Sequence, residues 1–141
     1  MENSNHFNVI VIGAGISGIG AGYYLKKNCP NKSFCIIEGR ENIGGTWDLF
    51  KYPGIRSDSD MFTLGYAFKP WKEQKTIANG PSILSYLEET VEENNLREKI
   101  KFSHKVLSAN WNSAERNWEV RAAHHEQEIL LTANFLFMGT G

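Results

Sequence analysis

The sequence predicts an α/β fold built on a parallel sheet, and three features predict it. The first is the β-branched run Phe7-Asn8-Val9-Ile10-Val11-Ile12, the second the spacing Gly13-x-Gly15-x-x-Gly18 directly behind it. The third is another apolar run, Ser33 to Glu38, which ends in an acid twenty residues beyond Gly18. Short apolar runs closed by glycine read as strands buried on both faces of a parallel sheet. Between them, Ile16, Ile19, Tyr23 and Tyr24 recur at helical spacing until Asn28-Cys29-Pro30, where proline forbids continuation. Strand, turn, helix and strand together span about 30 residues, the length of a right-handed parallel crossover.

Gly39 to Lys75 shows no sustained period, is rich in glycine and aromatics, and is too long for a mere connector. From Pro81 the spacing of Ile83, Leu87 and Val91 predicts an amphipathic helix ending near Asn95. Pro81 takes a first-turn position, and Glu88, Glu89, Glu92 and Glu93 face water. Val106 to Trp111, Trp118 to Ala123 and Glu128 to Thr132 read as a three-stranded β-meander with a turn at Asn112-Ser113-Ala114-Glu115. Phe135 to Met138 reads as a further buried strand, followed by Gly139-Thr140-Gly141.

With 141 residues and 41% hydrophobic content, the chain suits one domain at most. Fifteen basic against sixteen acidic residues give no field that argues for nucleic acid or an anionic membrane, so a small-molecule partner is expected. The polar start Met1 to Asn8 has no basic region followed by an apolar stretch, and no apolar run is long enough to span a bilayer. Cys29 and Cys35 fit neither a redox pair nor a zinc knuckle and are read as two buried free thiols in a reducing, cytoplasmic setting. No metal site is expected: His6, His104, His124 and His125 lack ligand spacing, and His124 and His125 should point to opposite faces of a strand. Phe62, Tyr66, Phe68 and Trp71 are assigned to packing.

The glycine turn carries the first functional argument. Gly13 permits the tight turn, Gly15 lets the backbone approach a pyrophosphate, and Gly18 lets helix and strand pack closely. Ala14 and Ser17 lie within the same turn, whose helix N-terminus favours negative charge. Glu38 stands where a carboxylate can accept hydrogen bonds from ribose hydroxyls. A glycine-rich turn with a surface glutamate is the plain alternative, but strand, helix and acid in register favour a dinucleotide. Glu38 also opposes a 2′-phosphate at this site, and nearby Arg40 is insufficient to accommodate one. FAD or NAD remains open on these residues.

The next loop narrows the choice. Gly44-Gly45-Thr46-Trp47, then Tyr52-Pro53-Gly54-Ile55-Arg56-Ser57-Asp58-Ser59-Asp60 and the aromatic stretch Tyr66 to Trp71, resembles the N-terminal part of class B flavin monooxygenases of the Baeyer–Villiger type, especially the ethionamide monooxygenase group. The resemblance runs from about Val9 to Gly141. Gly44 and Gly45 would leave backbone N–H groups open to a phosphate or ring, and Trp47 would offer a flat wall to a flavin. The plain roles of these residues are a type II turn at Tyr52-Pro53-Gly54 and a helix cap at Asp58, helped by Ser57 or Asp60.

The resemblance implies a Rossmann-like FAD-binding domain with a β-meander insertion, incomplete at its C-terminus, whose NADPH domain is absent from this chain. It assigns Gly45, Thr46 and Trp47 to FAD, places the backbone of Val106 at the adenine, and puts Thr140-Gly141 where the chain returns to the FAD domain. Asp58 is the implied catalytic residue, placed near the flavin and positioning an arginine from a later segment that helps stabilise the anionic peroxyflavin. The implied complete enzyme uses NADPH to reduce FAD, captures oxygen as a flavin C4a-peroxide, and oxygenates ketones or thioethers. With neither a second GxGxxG nor that arginine, this chain is expected to bind FAD weakly or not at all and to have no turnover. A catalytically inactive, truncated nucleotide-binding module and another FAD-dependent oxidoreductase are the alternatives; the loop Gly44 to Asp58 argues against a disulfide reductase or an amine oxidase.

Overall fold

The computed structural model describes residues 5–141, so of the polar start only residues 1–4 lie outside the described residues. Strand β1 (His6–Ile12) runs into the glycine turn, helix α1 (Ile16–Asn28) follows, and β2 (Phe34–Ile37) returns parallel to β1 with Val9 opposite Phe34 and Ile12 opposite Ile37. Helix α1 stops where the Cys29 N–H bonds to the Leu25 carbonyl, one residue before Pro30. Its buried residues are Gly18, Ile19, Gly20 and Gly22, so close approach rather than side-chain bulk joins it to the sheet. A Cβ on Gly18 would lie 1.7 Å from the Gly13 carbonyl oxygen, and one on Gly22 would lie 2.8 Å from Ile36 Cδ1.

The long loop contains two single-turn helices, α2 (Thr46–Leu49) and α3 (Met61–Leu64). Asp60, not Asp58, caps α3: its carboxylate accepts from the Thr63 N–H at 3.0 Å and from the Thr63 hydroxyl at 3.0 Å, which holds the Asp60 carboxyl below its usual pKa. The Tyr52–Gly54 turn is type II as read, with an Ile55 N–H to Tyr52 carbonyl bond of 3.2 Å and Gly54 at φ +82°. Helix α4 (Gly80–Glu93) begins at Asn79, whose side chain accepts from the Ser82 N–H at 2.9 Å. It buries Ile83, Tyr86, Leu87, Thr90 and Val91, while its four glutamates lie partly or fully in water.

An aromatic stack ties the two long helices together. Phe68 stacks on Tyr23 at 3.5 Å and on Tyr66 at 4.7 Å, and Tyr66 in turn stacks on Tyr86. The Tyr66 hydroxyl donates to the Ile16 carbonyl in the first turn of α1, and its ring occupies the space a Cβ on Gly20 would need. Burial, first, and the neighbouring Tyr86 push the Tyr66 hydroxyl pKa up, so it stays a donor. Tyr66, Phe68 and Trp71 are packing residues as read, whereas Phe62 is 67% exposed and packs in neither core.

Beyond a 3-10 turn (Arg97–Lys99) come β3 (Ile100–Lys101), β4 (His104–Asn112), β5 (Asn117–His124) and β6 (Gln127–Met138). One six-stranded sheet results, in the order β3-β2-β1-β6-β5-β4. β3, at two residues, is too short to leave a pattern, and the sequence predicts no strand there. The third meander strand and the expected strand at Phe135 are a single element: residues up to Ala133 pair antiparallel with β5, and residues from Thr132 on pair parallel with β1. No glycine or proline interrupts residues 127–138, so the backbone passes unbroken from one partner to the other. From Asn134 to Met138 the outer edge of β6 has no strand partner among the described residues, and Phe135 and Met138 are each 60% exposed.

Two residues separate β3 from β4, yet these strands stand at opposite ends of the pairing order. The sheet therefore curls until its edges meet beside β2: the Glu38 N–H bonds to the Lys101 carbonyl, and the His104 N–H to the Glu38 carbonyl, both at 2.9 Å. His125 lies in the β5–β6 turn at φ +55° with its ring 4.2 Å from that of His124, so the two are not on opposite strand faces. Cys35 is buried and free, its thiol pushed up to about 12 by burial, while Cys29 is also free but only half-buried. We expect Gly18→Ala to destabilise the chain by about 3 kcal/mol or more, because the clash is with main chain. Urea denaturation checks this, and a loss below about 1 kcal/mol would contradict the packing described.

Candidate dinucleotide-binding site

Three backbone segments converge at the C-terminal end of β1. The Gly13 N–H bonds to the Ile37 carbonyl and the Gly139 N–H to the Ile12 carbonyl, each at 2.8 Å. Gly13 turns at φ +100°, and a Cβ there would lie 2.7 Å from the Gly139 oxygen, so conformation and space both require glycine. Ala14 is buried, with its N–H donated to Glu38 Oε2 at 2.9 Å and its carbonyl accepting from the Gly44 N–H at 2.9 Å. The two glycine turns thus join through one residue, and a Cβ on Gly45 would lie 3.0 Å from Gly15 Cα.

The cleft between them has a volume of about 440 Å³. Of the sequence-predicted residues, Gly13, Gly15, Ser17, Glu38, Gly45, Thr46, Trp47, Thr140 and Gly141 line it. Ala14 and Gly18 support it from behind, one by hydrogen bonds and the other by packing. The N-cap of α1 is Gly15, which has no side chain to cap the helix, so the first-turn N–H groups beside the cleft are left for an anion. The Gly45 N–H makes no hydrogen bond among the described residues, whereas the Gly44 N–H, expected to be open, is taken by Ala14.

Asp58 and Val106 are not brought to this cleft. Asp58 is exposed; the backbone before it is pinned to the start of α4 by an Arg56–Asn79 bridge and by paired bonds between Ser57 and Ala78. Val106 is partly buried against the second core, at a bulge in the β4–β5 ladder. Gly44 also lines the cleft, as do Gly139, Leu49, Phe50 and Arg40, which the sequence does not single out for it. Gly139 was visible only as part of a glycine pair, and Arg40 only as a basic residue two positions past the acid. Among the described residues, no three His, Cys, Asp or Glu side chains gather where a metal ion could bind, and no helix is long and apolar enough to cross a membrane.

A strand, glycine turn, helix, strand unit with a carboxylate at the end of its second strand defines a Rossmann-like dinucleotide-binding domain. The family of NAD(P)-binding Rossmann-like domains matches residues 11–73. Over 138 residues and 98% of its length, the chain is 51% identical to the FAD-containing monooxygenase EthA of Mycolicibacterium smegmatis. It is also 51% identical to the probable FAD-binding monooxygenase AlmA of Acinetobacter baylyi. Among solved structures, an open form of cyclohexanone monooxygenase superposes with a TM-score of 0.88 at 29% identity, covering 98% of this chain and 27% of that one. A steroid monooxygenase bound to NADP superposes at 0.87 with 29% identity, covering 96% and 26%. The chain is therefore a homologue of the FAD-containing, Baeyer–Villiger-type monooxygenases that its motifs resemble, and it spans about 28% of the length of the curated relatives it matches.

Glu38 is the residue on which the site's shape depends. We expect Glu38→Ala to cost about 1–3 kcal/mol of stability, because it leaves the buried Ala14 N–H without a partner. Urea denaturation measures it, and an unchanged midpoint would contradict the carboxylate's structural role.

Proposed function

We propose that this chain is the N-terminal part of the FAD-binding domain of an NADPH-dependent flavin monooxygenase that oxygenates ketones or thioethers, with the NADPH domain lying outside it. The observation that carries the reading is the joining of the two glycine turns through Ala14 around the Glu38 carboxylate. Glu38 has acceptor capacity left for the ribose hydroxyls, and the uncapped first turn of α1 faces the position a pyrophosphate would take. Gly45, Thr46 and Trp47 then form the wall along which the rest of FAD extends, with Thr140 and Gly141 opposite. EthA is an FAD-containing monooxygenase and AlmA a probable FAD-binding one, and a structure of OTEMO, similar to this chain at a TM-score of 0.84 and 31% identity, holds FAD and NADP.

Glu38 keeps a 2′-phosphate out of this cleft, which is why NADPH belongs to another part of the complete protein. FAD, when bound and reduced, supplies the activation of oxygen; the protein's share is to hold it and exclude water. Asp58 belongs to that share only if a later segment folds over the exposed loop that carries it, and we assign it the positioning of an arginine from that segment. The open outer edge of β6, with Phe135 and Met138 in water, supports the further reading that the chain alone holds FAD weakly and has no turnover. The free thiols of Cys29 and Cys35 suit a reducing, cytoplasmic setting.

Titration of the chain with FAD, followed by flavin fluorescence, tests the site. FAD should bind weakly, and ADP should displace it far better than FMN, because Glu38 and the uncapped turn of α1 hold the adenosine half; equal competition by FMN would contradict the assignment. Incubation of the chain with FAD, NADPH, oxygen and a thioether should give no sulfoxide. Oxygenated product would show that these 141 residues suffice for turnover.

A further inference from the structure

Arg40 follows the acid by two positions and contacts both that acid and the second glycine turn. Its backbone N–H donates to Glu38 Oε1 at 3.1 Å, and its Nε lies 4.0 Å from the same oxygen. Its Nη2 donates to the Gly45 carbonyl at 2.8 Å and lies 3.2 Å from Asp48 Oδ2. The Glu38 and Asp48 side chains are only 11% and 10% exposed, and the other cation at Asp48 is Lys51, 3.7 Å away and 70% exposed. One guanidinium therefore compensates two nearly buried carboxylates and ties the acid of the first glycine turn to the carbonyl of the second.

We propose that Arg40 is a positioning and specificity-determining residue of the nucleotide site: it braces the Gly44–Gly45 turn against Glu38, and because Asp48 and Gly45 hold its guanidinium, it is withheld from a ribose 2′-phosphate. The inference rests on the nucleotide-site reading given above. A planar guanidinium can engage Glu38, Gly45 and Asp48 from one position, which the single ammonium of lysine cannot do. Gly45 approaches Gly15 so closely that a brace on its carbonyl also sets the width of the cleft between the turns. Without the Asp48 charge, the Gly45 carbonyl and the Glu38 carboxylate 4.0 Å away are what still hold the guanidinium, and it can turn toward a phosphate. Selectivity for a free 2′-hydroxyl thus depends on the pairing of Arg40 as well as on the charge of Glu38.

The test uses the 141-residue chain and its Arg40→Gln, Arg40→Lys and Asp48→Asn variants, with ADP-ribose and 2′-phospho-ADP-ribose as probes that differ only at the 2′ position. Amide hydrogen exchange is followed for each protein without nucleotide. Arg40→Gln should speed exchange in residues 44–49 while leaving β1 protected, and should weaken ADP-ribose about tenfold or more. Arg40→Lys should not restore either property. Asp48→Asn should narrow the preference for ADP-ribose over its 2′-phosphate by about fivefold or more. Unchanged exchange and affinity in Arg40→Gln, or full restoration by Arg40→Lys, would overturn the brace, and an unchanged preference in Asp48→Asn would overturn the specificity role. Faster exchange in Arg40→Gln with ADP-ribose bound by no form would support the brace and overturn the nucleotide site on which the selectivity rests.

Discussion

Ala14 contributes no functional side chain, yet its two peptide groups hold the cleft together. Its N–H is committed to Glu38 and its carbonyl to Gly44, so the first glycine turn, the acid ending β2 and the second glycine turn share one buried residue. A buried N–H without a partner costs about 1–3 kcal/mol, which makes the position of Glu38 a folding requirement before it is a binding one. The main chain of Glu38 is fixed as firmly: it bonds to Lys101 on one side and His104 on the other, where the curled sheet brings its edges together. The β-meander is thus coupled to the cleft through the strand that carries the acid.

The close fit of α1 against the sheet depends on the same turn. Gly18 lies almost in contact with the Gly13 carbonyl, and Tyr66 bonds to the Ile16 carbonyl at the start of the helix, so the end facing the cleft is held from both sides. Tyr66 belongs to the aromatic stack that joins α1 to α4, and the long loop, which has little regular structure of its own, is anchored through that stack. This explains how a segment with no sustained hydrophobic period can still place Trp47 and Thr46 beside the first glycine turn. Arg40 closes the arrangement electrostatically.

Much of this was legible in the sequence because it follows from local rules. Glycine spacing after an apolar run, proline behind a helix and alternation in the hairpins gave β1, α1, β2, α4 and the β4–β5 turn at close to their observed positions. The misses have a common cause, which is that tertiary partners decide them. The length of β6 depends on its changing partner from β5 to β1, and β3 exists only because β2 lies beside it. Gly44 could not be seen to donate to Ala14, because the two are thirty residues apart. Asp60 displaced Asp58 as the cap by a choice between neighbouring acids that spacing does not settle. The places of Asp58 and Val106 in a nucleotide site came from resemblance, and neither residue lies on the cleft of this chain.

With Ala14 bonded to both, the two glycine turns and Glu38 would form a single nucleotide site. Amide chemical-shift mapping of the isotope-labelled chain on addition of ADP tests it most directly. The responding amides should cluster at Gly13, Gly15, Ser17, Gly45, Thr46, Thr140 and Gly141, while those of Tyr24, Leu25 and Phe137, which line a separate apolar groove beside α1, should stay in place. Shifts confined to that groove, or to one glycine turn without the other, would contradict it.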